Sequence, residues 1–336
     1  MEYRTLGRTG IRVPEVGFGC GNVGGLMVRG SLDEQVMAVQ RALDLGVNYF
    51  DTAPSYGDNL SETNLGLVLK ELRLQVLVAT KVHIRDDGLK DIRGTVRRSI
   101  EDSLRRLGRD SVDLLQLHTQ VAMERGGGNR SEALGLEDVL GKDGVADAFD
   151  DLRSEGLIGF LGLTGAGDAD ALHMVVDSGR FDTIQTHYNL LNPSAGVAVP
   201  KDFAVYDFRR LIDHAAEKGM GVVVIRVMAA GALAGPAART GHASPSVGGA
   251  LVAGGDYETE VERADTLDFL VSGDVGSRPQ AAVRFALMHT GVSTVLIGVS
   301  DVSQIEEAAS CSGKGPLPQK DMSCLRDLWA TDFGRA

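Results

Sequence analysis

Short apolar runs alternate with amphipathic stretches along almost the whole chain. The runs VPEVGFG, VNYFD, LQVLVATKV, VDLLQLH, LIGFLGLTG, FDTIQTHYN, MGVVVIRVM and VSTVLIG read as eight strands. Their apolar positions are nearly continuous rather than alternate, as expected of strands covered on both faces. The intervening stretches carry the helical period. SLDEQVMAVQRALDLG places Leu32, Val36, Val39 and Leu43 at helical spacing, with Ser31 as N-cap and Gly46 to close it. SETNLGLVLKEL follows with Ser61 as its cap, and TVRRSIEDSLRRLG puts Val96, Ile100, Leu104 and Leu107 on one face. GVADAFDDLRSEG, DADALHMVVDSG, FAVYDFRRLIDHAAEKG, RPQAAVRFALMHTG and SQIEEAAS complete the helices, Pro279 standing in a first turn.

Eight strand-then-helix units predict a closed (β/α)8 TIM barrel, in one domain spanning 1–336. An open doubly wound sheet is the competing fold. It is disfavoured because GFGCGNVGG, after the first strand, lacks the G-x-G-x-x-G spacing. Two polar, glycine-rich segments, 119–144 and 231–256, interrupt the rhythm and read as extended loops. In a barrel both lie at the C-terminal face, where a lid or strap belongs; plain disorder is the alternative.

Composition narrows the function classes. A formal net charge of -12 argues against a nucleic-acid partner. Cys20, Cys311 and Cys324 form no C-x-x-C pair, which fits a reducing compartment better than a disulfide framework. No uninterrupted apolar stretch suits a membrane span, and MEYRTLGRTG is no signal peptide, so a cytoplasmic protein is expected. The seven histidines show no metal-binding spacing, and no metal is expected.

The barrel reading gives FDTAPSYG a meaning. Asp51, Lys81 and His118 fall at the ends of the second, third and fourth predicted strands, and Tyr56 lies in the loop after Asp51. Singly, each has an ordinary role: a turn acid, an edge aromatic, a surface lysine, a core histidine. Jointly, on three neighbouring strand ends, they converge on one rim. A phenol ionises near pH 10, and a close ammonium is expected to lower that value. Asp51 would supply the counter-charge to a buried Lys81, and His118 would orient a carbonyl oxygen. Such a set suits hydride addition to C=O with a proton donor at hand.

These segments together resemble the aldo-keto reductase family, nearly end to end. YRTLGRTGIRVPEVGFG resembles its N-terminal β-hairpin and first strand. FDTAPSYG, VATK, SLRRLGRDSVDLLQLH and QAAVRFAL…VLIG resemble the rest of its signature. The resemblance implies a nicotinamide cofactor, NADP or NAD. It also implies Tyr56 as general acid or base, tuned by Lys81 and Asp51, with His118 orienting substrate. By resemblance Gln185 and Thr164 support the nicotinamide amide, though Gly165 stands where the family has asparagine. Ile225 takes the place of an aromatic platform, and Arg226 after it is implied to reach pyrophosphate or substrate, with a structural ion pair as the alternative. Gly231, Leu233 and Gly235 fall in the pyrophosphate loop. Gly298, Ser300, Gln304 and Glu307 fall at the adenosine end, where Gln304 and Ala308 replace a frequent arginine and asparagine. With Asp301 nearby, that patch leaves NAD open beside the family's habitual NADP. His83, Asn22, His187, Tyr188 and Asn189 either line the pocket or sit on its rim.

The expected function is therefore reversible conversion of an aldehyde or ketone and an alcohol, on a small-molecule substrate. A sugar 1-dehydrogenase that oxidises a cyclic hemiacetal to a lactone is the alternative, suggested by GLTG and the adenosine-end residues. A cofactor-binding regulatory subunit is the third reading.

Overall fold

The computed structural model describes residues 1–127, 132–235, 241–244 and 256–335. Its strands are β1 Tyr3–Thr5, β2 Arg12–Pro14, β3 Val16–Gly19, β4 Tyr49–Asp51, β5 Leu77–Val82, β6 Val112–Leu117, β7 Val121–Ala122, β8 Leu134–Gly135, β9 Ile158–Gly165, β10 Thr183–His187, β11 Gly221–Ile225 and β12 Thr294–Gly298. Eight of them close a barrel in the order β3-β4-β5-β6-β9-β10-β11-β12, every pair parallel. The open-sheet alternative is thereby excluded.

Side-chain parity explains the continuous apolar runs. Phe50, Val78, Leu115, Leu117, Leu163, Ile184, Val222 and Val224 face the helical layer and join one large core. Tyr49, Ala79, Leu114, Val223 and Leu296 face the lumen and form a second. Leu6, Val13 and Ile11, from the antiparallel β1–β2 hairpin, pack against this second core and plug the N-terminal end. Both faces are dry, so the sequence shows no alternation. Glycine is required in the lumen at Gly162: a Cβ there would stand 2.5 Å from Thr183 Oγ1 and 2.9 Å from Gln116 Cγ.

Several local readings are corrected. The helix Leu60–Leu72 starts at Asn59, left-handed at φ 73°, and not at Ser61. Ser61 lies inside it, where its hydroxyl donates to Cys20 O at 2.9 Å and pairs with Thr52 Oγ1 at 2.8 Å. Of FAVYDFRRLIDHAAEKG only Leu211–Glu217 is α-helical. The residues before it are held by the preceding loop instead: Asn192 Nδ2 donates to Tyr206 O at 2.8 Å and Phe208 N to Ser194 Oγ at 3.0 Å. Segment 119–144 is not a bare loop, since it contains the parallel pair β7–β8 and the helix Leu136–Leu140. A further helix, Gln319–Ala330, was not anticipated; its Trp329 Nε1 donates to Leu190 O at 2.8 Å.

Part of the 231–256 segment lies outside the described residues. Of its described pieces, 241–244 crosses to the loops after β3 and β12: Ser244 N donates to Val23 O at 2.9 Å and His242 N to Ser300 O at 3.3 Å. Among the described residues no helix is long and apolar enough to cross a membrane, and no group of side chains could hold a metal ion.

Candidate active site

The barrel's parity sends Tyr49 and Asp51 inward from β4, Lys81 inward from β5, and Gln116 inward from β6. Asp51 and Lys81 are buried and form an ion pair through Asp51 Oδ1. Lys81 Nζ also donates to Thr52 O at 2.8 Å. Asp51 Oδ2 accepts from Gln116 Nε2 at 2.9 Å and from Gln185 Nε2 at 2.6 Å. The carboxylate is thus held by one cation and two neutral amides, which satisfies a buried charge without a second cation competing with Lys81.

Tyr56 is half-buried in the turn after β4, its N–H bonded to Ala53 O at 3.1 Å. Lys81 Nζ stands 4.9 Å from its ring centroid, and His118 meets the ring edge-on at 5.8 Å between centroids. His118 follows β6 directly, with Nδ1 3.4 Å from Ser55 Oγ. The four predicted side chains are therefore brought together, and their charge states follow from their surroundings. Burial pushes the Tyr56 phenol above its ordinary value, and the pull of Lys81 in the other direction does not cancel it. The expectation of a net lowering by Lys81 is corrected on that point. Burial alone would push Lys81 down; Asp51 and Tyr56 beside it hold the ammonium above the usual lysine value. Burial, with Lys81 adding to it, pushes His118 down to about 3, so its imidazole is neutral at physiological pH. A neutral ring with one N–H is a hydrogen-bond donor to an oxygen, not an acid.

The residues expected to hold a cofactor divide into two groups. Thr164 pairs across β9–β10 with Gln185, and its Oγ1 is buried without a partner. Ile225 packs on the lumen core from the mouth end of β11. Beyond it the backbone is left-handed at Arg226 (φ 62°), Ala229 (φ 46°), Ala230 (φ 55°) and Gly231 (φ 109°), and again at Gly235 (φ 82°). The N–H groups of this run bond within it: Ala229 N donates to Arg226 O and Gly231 N to Met228 O, each at 2.8 Å, Leu233 N to Met228 O at 3.3 Å and Gly235 N to Ala232 O at 3.2 Å. The orphan Thr164 hydroxyl and the apolar Ile225 fit the nicotinamide end of a dinucleotide. Leu233 is different: its side chain lies in the large core. At the adenosine end Gly298 is exposed and Ser300 buried. Gln304 is turned onto Ser300, its Oε1 accepting from Ser300 N at 2.8 Å, and Glu307 accepts from Ser277 Oγ at 2.5 Å. Gly165 faces the helical layer, where a Cβ would lie 2.8 Å from Gln185 O, so no side chain can replace the missing amide. Of the rim residues, His83 contacts the His118 ring at 6.2 Å, and His187, half-buried and facing Phe208, is pushed down to about 3 by burial and by Arg226.

Gln116 was not singled out from sequence. The signal was present: it is the one amide in VDLLQLH and shares parity with His118, two residues on.

Comparison with known proteins agrees with this geometry. The profile described as the Aldo/keto reductase family matches residues 15–330. L-galactose dehydrogenase of Arabidopsis thaliana is 32% identical over 316 residues, covering 91% of this chain and 86% of that protein. D-threo-aldose 1-dehydrogenase of a Pseudomonas species is 28% identical over 327 residues, covering 89% of each. The holo form of an aldo-keto reductase from Bacillus halodurans superposes with a TM-score of 0.71 over 98% of this chain and 96% of its own, at 24% identity, a likeness of fold.

Proposed function

Because the chain belongs to the aldo/keto reductase family and is with it an NAD(P)-dependent oxidoreductase, we propose that it oxidises the anomeric carbon of an aldose to a lactone, using Tyr56 as the proton-transferring group. The two sugar dehydrogenases that it resembles over most of its length support that substrate class. The observation that carries the catalytic assignment is the buried Lys81–Asp51 pair set beside the Tyr56 ring.

In this reading His118 gives its N–H to the substrate oxygen and fixes it near Tyr56. Tyr56 acts in oxidation as a phenolate that the Lys81 ammonium stabilises; its Oη takes the hydroxyl proton as C=O forms and becomes the phenol. Asp51 fixes the Lys81 ammonium and prevents its escape to solvent. Bound nicotinamide supplies the hydride acceptor, or in the reductive direction the donor, where Tyr56 returns the proton. Thr164 and Gln185 would hold its carboxamide, Ile225 would lie beneath its ring, and Gly231 and Gly235, without side chains, would let the diphosphate lie close to the backbone. Gly298 and Ser300 would border the adenosine.

NAD is proposed over NADP. Asp301 caps the helix Val302–Ala309, bonding Ser303 N at 2.8 Å, and places a carboxylate beside Ser300. No Lys or Arg occurs between Gly298 and Ala308. A 2'-phosphate would meet negative charge and an amide already engaged.

Steady-state assays with NAD and NADP over a panel of aldoses and simple aldehydes test the reading. Lactone formation with NAD is expected to exceed aldehyde reduction with NADPH. Tyr56→Phe should lower kcat by about 10²- to 10⁴-fold while NADH still binds, as seen in nicotinamide fluorescence. Full turnover in that variant would remove Tyr56 from the mechanism. Cofactor binding without turnover by the wild type would favour the regulatory reading.

A further inference from the structure

Arg226 stands one residue beyond β11, at the rim of the barrel. The pairing of β10 and β11 ends at His187↔Ile225, with Tyr188 N donating to Ile225 O at 3.4 Å, so Arg226 emerges beside His187. Its φ of 62° is left-handed, a conformation that a residue with a side chain keeps only when its surroundings impose it. Two hydrogen bonds to its carbonyl do so: Asn189 Nδ2 at 2.9 Å and Ala229 N at 2.8 Å. Asn189 is itself buried and fixed, its Oδ1 accepting from Leu191 N at 3.0 Å and Asn192 N at 2.9 Å.

Among the described residues the guanidinium so placed has no counter-ion. The residue is half-buried, and its Nη1 is shielded from water and donates to no atom of the described residues. Among the described residues no carboxylate forms an ion pair with it, and Glu260 is the acid whose charge it feels. The other cation of the mouth, Lys81, is matched by Asp51. Arg226 is a cation partly removed from water without compensation, which is costly unless an anion completes it. The groups that register its charge are Tyr56, His118 and His187, the side chains that surround the reacting oxygen in the reading above. The glycines beside which the cofactor diphosphate is proposed to lie, Gly231 and Gly235, come five and nine residues later.

We propose that Arg226 is the receptor for a carboxylate carried by the substrate, so that the enzyme acts on acidic aldoses of the hexuronate type in preference to neutral ones. Guanidinium matches carboxylate in a planar, two-point contact. The inference rests on the proposed sugar oxidation but uses a separate part of the site.

The test compares each hexose with its uronate, D-galactose with D-galacturonate and D-glucose with D-glucuronate, using wild type, Arg226→Met and Arg226→Lys. The expected result is a higher kcat/KM for the uronate with the wild type. Arg226→Met should reduce the uronate-to-hexose ratio by about 10- to 100-fold, and Arg226→Lys should keep part of it. The Kd for NADH, read by nicotinamide fluorescence, should hold within a factor of about two in Arg226→Met, since the proposed contact is to substrate. Oxidation of neutral sugars with no uronate preference would overturn the receptor and leave the sugar reading standing. A weakened NADH Kd with an unchanged substrate ratio would assign Arg226 to the cofactor diphosphate and overturn the proposal. If no sugar turns over, titration of the wild-type NADH complex with uronate decides separately. Binding that Arg226→Met abolishes keeps the receptor and sinks the sugar oxidation; no binding sinks both.

Discussion

The two sides of the barrel mouth are finished to different degrees. On the β4–β6 side the Asp51 carboxylate has a partner for each oxygen, and Lys81 donates to both a carboxylate and a carbonyl. On the β9–β11 side, Thr164 Oγ1 and Arg226 Nη1 are buried with nothing to bond, and the backbone turns repeatedly into the left-handed region. The buried charges of Asp51 and Lys81 are matched within the protein alone. The opposite side holds donors whose partners must come from outside. Buried polar groups are normally paired; orphans occur on both sides, with Gln116 Oε1 and Tyr49 Oη on the β4–β6 side, so the difference lies in charge: Asp51 and Lys81 match each other, while Arg226 is left for an ionic ligand to complete.

That contrast can be broken most severely at Lys81. Lys81→Met would leave Asp51 buried without its cation, at a cost of about 3–5 kcal/mol in urea unfolding. Adding Asp51→Asn should restore much of the loss without restoring turnover. A Lys81→Met protein as stable as the wild type would mean that the pair carries no strong coupling. A smaller effect is expected at Gly162, where Gly162→Ala would push against Thr183 Oγ1 and Gln116 and cost about 1–3 kcal/mol. Gln116→Met, which removes one of the two amides on Asp51, should cost about 1–3 kcal/mol and lower kcat more than it raises KM. An effect on KM alone would place Gln116 outside the positioning of Asp51.

Acid titration probes both sides at once. His118 and His187 are held down to about 3, well below an unfolded histidine. Between that value and about 6.5 the unfolded chain binds protons that the folded chain does not. Stability should therefore fall as pH is lowered through this window, and His187→Gln should flatten part of the fall. Half-exposure of both rings keeps the change on the order of 1–2 kcal/mol. The smallest effect belongs to the unfinished side. Thr164→Val removes an orphan hydroxyl, so unfolding should be unchanged or slightly harder. The Kd for NADH should weaken by about 2- to 10-fold. A destabilised Thr164→Val would show that the hydroxyl serves the fold and not a ligand.

The strand order and the four convergent side chains were legible because both depend on residue type at strand ends. Eight dry strands leave little topological choice, and Asp51, Lys81 and His118 needed only correct strand termini to meet. What escaped the sequence depends on register and competition between local bonds. Gln116 reads as one polar residue in an apolar strand until β5 and β6 align Lys81 with it. Ser61 reads as a cap until Cys20 and Thr52 claim its hydroxyl. The GALAG composition cannot tell that Leu233 turns into the core, and SQIEE cannot tell that Gln304 folds back on Ser300. The net direction of the Tyr56 shift was likewise hidden, since it is a balance between burial and Lys81 that depends on depth.

The β1–β2 hairpin has a consequence for traffic. With Leu6, Ile11 and Val13 corking one end, and Tyr49, Ala79, Leu114, Val223 and Leu296 lining the lumen above them, the barrel is a blind-ended vessel. The one hydroxyl among these side chains, Tyr49 Oη, has no hydrogen-bond partner to which it could pass a proton. Substrate, product and the proton that Tyr56 is proposed to exchange would all share one door, the mouth at the opposite end.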